Sequence, residues 1–367
     1  MIWVVPRDVL TLRQLNRATL ARQMLLARSR TSVLNATQQL LALQAQIARP
    51  PVVGLWSRID GLKREDVVKA LVDKRLVRGT SLRGTLHVMT ARDFVRFRST
   101  LQTALDRGLK IVGGRLDGVP IDPLLALAGK FFREPKTFDA FRDHLAEKFP
   151  KGDIRAMAYA ARLKVPLLQV PTPATWGFPV QADFITAEAW LGKPKKEAVA
   201  DAQEFVLRYL AAYGPATATD AQSWSGLPAL KPIFEALRPR LVTFRGERGG
   251  EMFDLPDAPR PPVDTPSPVR LLPEWDSVIV TRADARLLPL QHRSSVFQPG
   301  LRVLPTVLVD GTVAGTWKIE CRRTAASLIV SLFASQPAKV RREIESEAHA
   351  LLAFAEPDAA TRQVTIG

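Results

Sequence analysis

The order of helix-like and strand-like segments recurs along the chain, and this order is what most constrains the fold. Residues 33–45 and 64–74 have helical periodicity and enclose a short helical turn at 54–60. LVRGTSLRGTLHVMT follows at 76–90, where Gly79 and Gly84 indicate two short strands and a tight turn. Helices followed by a hairpin are typical of a winged helix, a variant of the helix-turn-helix.

The same order occurs twice more. Two helical segments at 137–163 precede the strand-like PLLQVP and the turn-rich TPATWGFP. Helical segments at 196–239 precede LVTFRGERGGEMFDLP, which predicts a hairpin turning at Gly249 and Gly250. The repeats share a pattern and not a sequence, and they predict about three tandem winged-helix modules.

The last third of the chain has a different composition. The proline-rich stretch PDAPRPPVDTPSP at 256–268 predicts a connector. Short strand candidates follow: SVIVTR, RLLPL, RVLPTVLVD, TVAGTWKIE and SLIVSLFA. Asp310 and Gly311 form a hairpin signal between two of them. We expect a C-terminal antiparallel β-barrel, closed off by the amphipathic helix PAKVRREIESEAHALLAFA.

The predicted fold class is therefore α+β, with tandem winged-helix modules and a C-terminal antiparallel β-barrel. The expected boundaries are 1–110 for the first module, 111–190 for the second, 191–258 for the third and 269–367 for the barrel and last helix.

The charge indicates a polyanionic partner. The chain of 367 residues has a net charge of +16, and residues 1–110 contain 20 basic and 7 acidic side chains. Most of these basic residues are arginines, which suit bidentate contacts with phosphate. Duplex DNA is the favoured partner. A coding bias toward arginine and an anionic membrane surface remain as alternatives.

Several kinds of chemistry lack their sequence signals. Cys321 is the only cysteine, and the four histidines have no metal-ligand spacing. There is no phosphate-binding glycine loop, dinucleotide fingerprint or zinc-protease motif. We expect no metal and no cofactor. No apolar run is long enough to span a bilayer, so we expect a cytoplasmic protein.

The stretch LALQAQIARPPV contains two glutamines, Gln44 and Gln46, inside an apolar run. On one helix, residues two apart point about 200° away from each other. Either these are incidental surface amides, or the backbone is not helical there and both face one space. An amide can orient a water molecule or line a base pocket, but it is a poor proton acceptor.

Four segments carry a resemblance to a known family: LNRATLARQMLL, LLALQAQIARPPVVGLWSRI, LRGTLHVMT and LRVLPTVLVDGTVAGTW. Together, from about residue 12 to 335, they resemble the AlkZ/YcaQ-like bacterial DNA glycosylases. QAQ is similar to the catalytic Gln-apolar-Gln motif of that family, which matches Gln44 and Gln46. The YcaQ branch has aspartate where this chain has Gln46, so the chain resembles the AlkZ branch. That branch is associated with self-resistance to DNA-crosslinking natural products.

The resemblance implies a monofunctional DNA glycosylase that excises bulky N7-alkylpurine adducts from duplex DNA in a C-shaped cationic cleft, and that unhooks interstrand crosslinks. An N7-alkylated base is already cationic, so it leaves without protonation. Gln46 would position the water and Gln44 would hold that water or the sugar, or the reverse. No lysine adjoins the motif, so hydrolysis to an abasic site is expected. The alternative is a non-catalytic winged-helix transcriptional regulator.

Further candidate DNA contacts come from the basic residues. The family uses a β-hairpin near the barrel, matched here by 289–303, where His292, Arg293 and Arg302 would meet phosphates or be solvated turn residues. Arg49, Arg83 and His87 lie in the basic first module, and His87 either packs or contacts phosphate. We expect a monomer, associated with the nucleoid through DNA.

The paired glutamines give a geometric test. We predict that the helix beginning near Asn35 ends at or just before Gln44. An extended QAQ turn would then present both amides to the cleft, with Ala45 facing the core of the module.

Overall fold

The N-terminal part of the chain folds into helices joined to a strand pair. The computed structural model describes residues 9–193, 200–247, 249–280 and 284–367. The first elements in chain order are β1 (Val9–Leu10), α1 (Leu12–Arg22), α2 (Val33–Leu40), β2 (Leu43–Gln44), α3 (Arg49–Trp56), α4 (Arg64–Val72), β3 (Leu76–Thr80), β4 (Leu86–Thr90) and α5 (Ala91–Gly108). The predicted hairpin at 76–90 is confirmed as β3 paired antiparallel with β4.

Helix α2 is shorter than the sequence indicated. Its N-cap is Ser32, whose hydroxyl accepts the N–H of Asn35, so the helix begins at Val33, two residues before the predicted start near Asn35. The helix ends at Leu40 because Leu41 has a φ of +67°, which no helical residue adopts. The prediction that this helix ends before Gln44 is confirmed.

The second part of the chain repeats the helix-and-hairpin order. It contains α6 (Ile121–Phe131), α7 (Phe138–Lys148), α8 (Ile154–Lys164), β5 (Leu167–Gln169), β6 (Phe184–Thr186) and α9 (Ala187–Leu191). Strands β5 and β6 join the first hairpin in one sheet with the order β2-β4-β3-β5-β6. Gly79 allows β3 to approach β5, since a Cβ there would lie 2.9 Å from the Leu168 side chain. This sheet therefore spans two of the predicted modules.

The third occurrence of the order forms another small sheet. It contains α10 (Ala202–Tyr213), α11 (Ala218–Ser225), α12 (Lys231–Leu237), β7 (Val242–Gly246) and β8 (Glu251–Asp254). The start of the predicted helix segment, 196–199, lies outside the described residues. β7 pairs with β8 and also with β1. This sheet therefore joins the start of the first predicted module to the end of the third.

The C-terminal region is an open sheet rather than the expected barrel. Its elements are β9 (Arg270–Leu272), α13 (Ser277–Val280), α14 (Arg293–Val296), β10 (Phe297–Gln298), β11 (Arg302–Val303), β12 (Thr306–Val309), β13 (Thr312–Arg322), β14 (Ala325–Leu332), α15 (Ala338–Ala355) and β15 (Thr361–Ile366). The order β15-β14-β13-β12-β9 leaves β15 and β9 as edges, so the described strands do not close. β15 also runs parallel to β14, so the sheet is not wholly antiparallel.

The predicted strand SVIVTR is wrong for its first four residues, which form α13; Thr281 and Arg282 lie outside the described residues. RLLPL forms no strand. The last helix is confirmed as α15, which packs Ile344 and Leu351 into a core with Trp317 of β13. In the described part of the chain, no helix has the length and apolarity needed to cross a membrane.

Candidate active site

Gln44 and Gln46 lie on non-helical backbone between α2 and α3. Gln44 ends β2 and pairs across the sheet with His87 of β4. Ala45 between them is fully buried, and its N–H donates to the Leu86 carbonyl at 2.8 Å. Gln46 lies in a bend directly after the strand and is exposed, whereas Gln44 is buried. The prediction that Ala45 faces the core is confirmed, and the presentation of both amides to one cleft stays a prediction.

Both amide oxygens accept hydrogen bonds from the turn between β3 and β4. The oxygen of Gln44 accepts from Arg83 Nη2 at 2.7 Å. The oxygen of Gln46 accepts from the backbone N–H of Leu86 at 3.1 Å. The amide nitrogen atoms of both side chains make no hydrogen bond within the described residues. Each glutamine is thus held at its oxygen and can offer N–H groups to a ligand.

The backbone of the motif is fixed by Arg78 of β3. Its Nε donates to the Ala45 carbonyl at 2.9 Å, and its Nη2 donates to the Gln46 carbonyl at 3.1 Å. Burial lowers the pKa of Arg78 to about 10, with Arg162 nearby adding to the effect, and the guanidinium stays charged at neutral pH. Because these bonds come from the protein itself, the non-helical backbone of the motif does not require a bound ligand.

Arg83 acts on Gln44 and on the third repeat at once. It lies in the short turn Leu82–Gly84 with a left-handed φ of +54°, and its Nη1 donates to the carbonyl of Trp224 in α11. Burial lowers its pKa to about 10. Arg83 is occupied in orienting Gln44, so its predicted contact with DNA would require this arrangement to change.

His87 is buried beneath the motif. It is 1% exposed, and its Nδ1 lies 3.1 Å from the Thr85 carbonyl oxygen. Burial, followed by the charge of Arg83, lowers the pKa of His87 to about 3, so the ring is neutral at physiological pH. Burial favours the packing role over the phosphate contact, the two alternatives that the sequence left open.

A narrow cavity of about 10 Å³ adjoins Gln44, which is close to the space that one water molecule requires. It is bordered by β2, by Pro50 and Pro51 in the first turn of α3, and by residues 273–277 after β9. Asp276 and Arg58 line it as a two-pronged ion pair, with N–O distances of 2.8 and 2.9 Å. Their side chains are 3% and 2% exposed. This buried ion pair joins the end of α3 to the segment after β9.

Glu274 is a further charged group that lines this cavity with Gln44, and two arginines influence its carboxyl group. Burial raises the pKa of Glu274, while the positive charges of Arg49 on α3 and Arg302 on β11 act against that shift. The predicted DNA contacts Arg49 and Arg302 therefore lie in the same neighbourhood as the paired amides, with Arg302 exposed to solvent.

The predicted hairpin at 289–303 is only partly present. His292 ends a 3-10 turn and stacks on Phe333 at 4.5 Å between ring centroids. Arg293 begins α14 and lies 4.5 Å over the ring of Phe297. Only β10 and β11 pair, so placing His292 and Arg293 on the hairpin is wrong, whereas Arg302 does lie on it.

Sequence reasoning missed Arg78, Arg58 and Glu274. Only the structure distinguishes the paired Asp276 from Glu274 in the segment LLPEWDSV. Nothing in the sequence distinguished Arg78 from the other basic residues of the first module.

Comparison with known proteins assigns the chain to a family. The AlkZ-like DNA glycosylase family matches residues 37–354. "Interstrand DNA cross-link repair glycosylase" of Streptomyces sahachiroi is 24% identical over 365 residues, covering 92% of this chain and 94% of that protein. The solved structure of Streptomyces sahachiroi DNA glycosylase AlkZ superposes with a TM-score of 0.78 at 22% identity, covering 98% of this chain and 100% of the other.

The fold of this chain is thus similar to that of a solved DNA glycosylase. The chain belongs to the AlkZ-like DNA glycosylase family, which matches most of its length. It is a hydrolase of N-glycosidic bonds in DNA.

Proposed function

We propose that the substrate is duplex DNA carrying a bulky N7-alkylpurine, and that the product is an abasic site. The single observation that supports this most is the pair of amides, held at their oxygens by Arg83 and by the Leu86 N–H, with their nitrogens left to donate. Amides suffice only where the leaving group needs no strong acid, and an N7-alkylated purine is such a leaving group because it carries a positive charge.

In this proposal, Gln46 and Gln44 position one water molecule below C1′ of the damaged nucleotide. The C1′–N9 bond breaks with its electron pair going to the base, which neutralises the base and leaves an oxocarbenium-like sugar. Positioning of the nucleophile then supplies much of the rate enhancement. No lysine lines the described cavity beside Gln44, in keeping with hydrolysis rather than an amine-dependent lyase reaction.

The three helix-and-hairpin repeats are proposed to be tandem winged-helix modules around a cationic cleft, with the boundaries predicted above. Arg49, Arg302 and Arg293 would contact phosphates beside the lesion. Bulky N7 groups project into the major groove, which reduces the need to flip the whole base. We further propose that the protein acts as a monomer in the cytoplasm, bound to the nucleoid, without metal or cofactor.

Unhooking of interstrand crosslinks is the finer part of the proposal. It is supported by the similar protein of Streptomyces sahachiroi, which is named an interstrand DNA cross-link repair glycosylase. A crosslink through two N7 atoms contains two such cationic purines, so release of either base from its sugar would separate the strands. The physiological role would be self-resistance to a DNA-alkylating natural product.

The test is base release from three duplexes, carrying N7-methylguanine, a bulky N7 adduct and an N7–N7 crosslink. We expect released base and alkali-labile sites from the bulky adduct, and strands of single-strand mobility from the crosslink. Binding of each duplex is measured in parallel. Tight binding without release from any of them would contradict the proposed substrate and favour the regulator alternative.

A further inference from the structure

The two amides leave one part of the proposed reaction without a group to perform it. When water adds to C1′ of the sugar, it must lose a proton, and a neutral amide oxygen is a very weak base. The amide oxygens of Gln44 and Gln46 also already accept hydrogen bonds from Arg83 and Leu86. A proton acceptor must therefore come from outside the motif.

Two carboxylates line the cavity beside Gln44, and they differ in their partners. Asp276 is almost fully buried, both of its oxygens accept from Arg58, and its Oδ1 also accepts from the Val278 N–H, so its negative charge is neutralised in a contact ion pair. Glu274 makes no hydrogen bond and no ion pair within 4.0 Å among the described residues. Glu274 lines the same cavity and precedes Asp276 by two residues in the chain.

The surroundings of Glu274 suit a base. Burial raises the pKa of its carboxyl group, and the charges of Arg49 and Arg302 oppose this without forming contact pairs. A carboxylate with a raised pKa is a better proton acceptor than one exposed to water. The other titratable groups at the cavity are Arg58, Asp276 and Tyr213, and burial raises the pKa of Tyr213 to about 12, so its hydroxyl stays protonated.

We propose that Glu274 is a third catalytic residue, the general base for the water that Gln44 and Gln46 position. The water oxygen bonds to C1′, the C1′–N9 electron pair leaves with the base, and one water proton passes to the Glu274 carboxylate. The base departs neutral, the sugar becomes the abasic hemiacetal, and the protonated Glu274 returns its proton to solvent. This inference rests on the proposed function.

The experiment compares wild type with Glu274→Gln, Glu274→Asp and Glu274→Ala under single-turnover conditions on the bulky N7 adduct, after subtraction of spontaneous base loss. We expect Glu274→Gln to lower the rate constant about 100-fold or more. The wild-type rate should rise with pH through the raised pKa of Glu274 and then level off, because the base works only when ionised. The Glu274→Gln rate should lack that rise.

Glu274→Asp should keep an intermediate rate, and added formate should restore activity to Glu274→Ala when chloride of equal ionic strength does not. DNA affinity of Glu274→Gln should equal or exceed that of wild type, because a negative charge is lost near two arginines. The thermal unfolding midpoint verifies that each variant is folded.

Two results would overturn the inference. One is a Glu274→Gln enzyme with the wild-type rate and pH dependence. The other is a slow Glu274→Gln enzyme whose pH dependence is unchanged and whose alanine counterpart is not restored by formate, which would assign Glu274 a structural role. If wild type itself releases no base, the proposed substrate fails instead, so the two failures are distinguishable.

Discussion

Two polar clusters meet where β2 and α3 pack against the segment after β9, and they are built differently. The first is closed: both carboxylate oxygens of Asp276 accept from the two Nη atoms of Arg58, at 2.8 and 2.9 Å. The second is open: Gln44 and Gln46 are held only at their oxygens, and Glu274 has no hydrogen-bonding partner in the described part of the chain. A buried charge paired with its counter-charge holds a framework, while polar groups left without a partner are candidates for binding a ligand.

The closed cluster should dominate stability. Asp276→Ala leaves the charge of Arg58 buried and unpaired, and we expect a loss of about 3–5 kcal/mol in the free energy of unfolding. Chemical denaturation measures this loss. The control is Asp60→Ala, because the Arg30–Asp60 pair is exposed, with side chains 91% and 52% accessible at 3.4 Å. It should cost less than about 1 kcal/mol. Equal losses in the two variants would contradict the distinction between closed and exposed pairs.

The open cluster should govern rate instead. Arg83→Ala removes the charged donor to the Gln44 oxygen, and we expect base release to slow by about 10- to 100-fold through loss of orientation. Single-turnover kinetics measures the effect. Arg115→Ala is the matched control, since Arg115 pairs with Asp153 at 2.7 Å on the exposed surface. A rate unchanged in Arg83→Ala would show that Gln44 is oriented by other contacts.

The free energy of unfolding should depend on pH through His87, because its ring is buried next to Gln44 in the sheet. Its pKa is lowered from 6.5 to about 3, so the unfolded chain binds a proton that the folded chain does not. Stability is therefore fully present above pH 6.5 and falls as the pH decreases toward 3. We expect a loss of about 1 kcal/mol for each pH unit below 6.

Denaturation of wild type and His87→Gln between pH 7.5 and 5 measures this dependence. The variant should show a smaller decrease with falling pH, even if it is less stable at every pH. A decrease of the same slope in both proteins would mean that another group is responsible.

The smallest expected effect concerns DNA affinity. Arg302→Ala removes one exposed charge beside the open cluster, and the slope of log binding constant against log salt should decrease by about one. Arg362→Ala, on the edge strand β15, is the control and should leave the slope unchanged. Fluorescence anisotropy at several salt concentrations measures both. Equal slopes for wild type and Arg302→Ala would remove Arg302 from the DNA contacts.

The sequence predicted the end of α2 before Gln44, because two amides at a spacing of two cannot share one face of a helix. Pro50 and Pro51, which follow, lie in the first turn of α3, where proline needs no hydrogen-bond partner for its nitrogen. The helical turn predicted at 54–60 therefore begins earlier, at Arg49.

Long-range pairing limited the prediction elsewhere. The sequence predicted β12, β13 and β14 of the C-terminal sheet but not β9 and β15, and the open order depends on these two strands, which lie far apart in sequence. Glu274 was missed for a similar reason. Its raised pKa arises from tertiary burial, and its positive neighbours come from α3 and β11, none of which the string PEWD contains.

The account depends most directly on the claim that Gln44 and Gln46 act together on one water molecule. The measurement is the single-turnover rate of base release for wild type, Gln44→Ala, Gln46→Ala and the double variant, with DNA binding measured for each. We predict that each single variant loses most of the activity and that the double variant is little slower than the worse single variant, since groups that act as a unit are not additive. Full additivity, or single variants as fast as wild type, would contradict the claim.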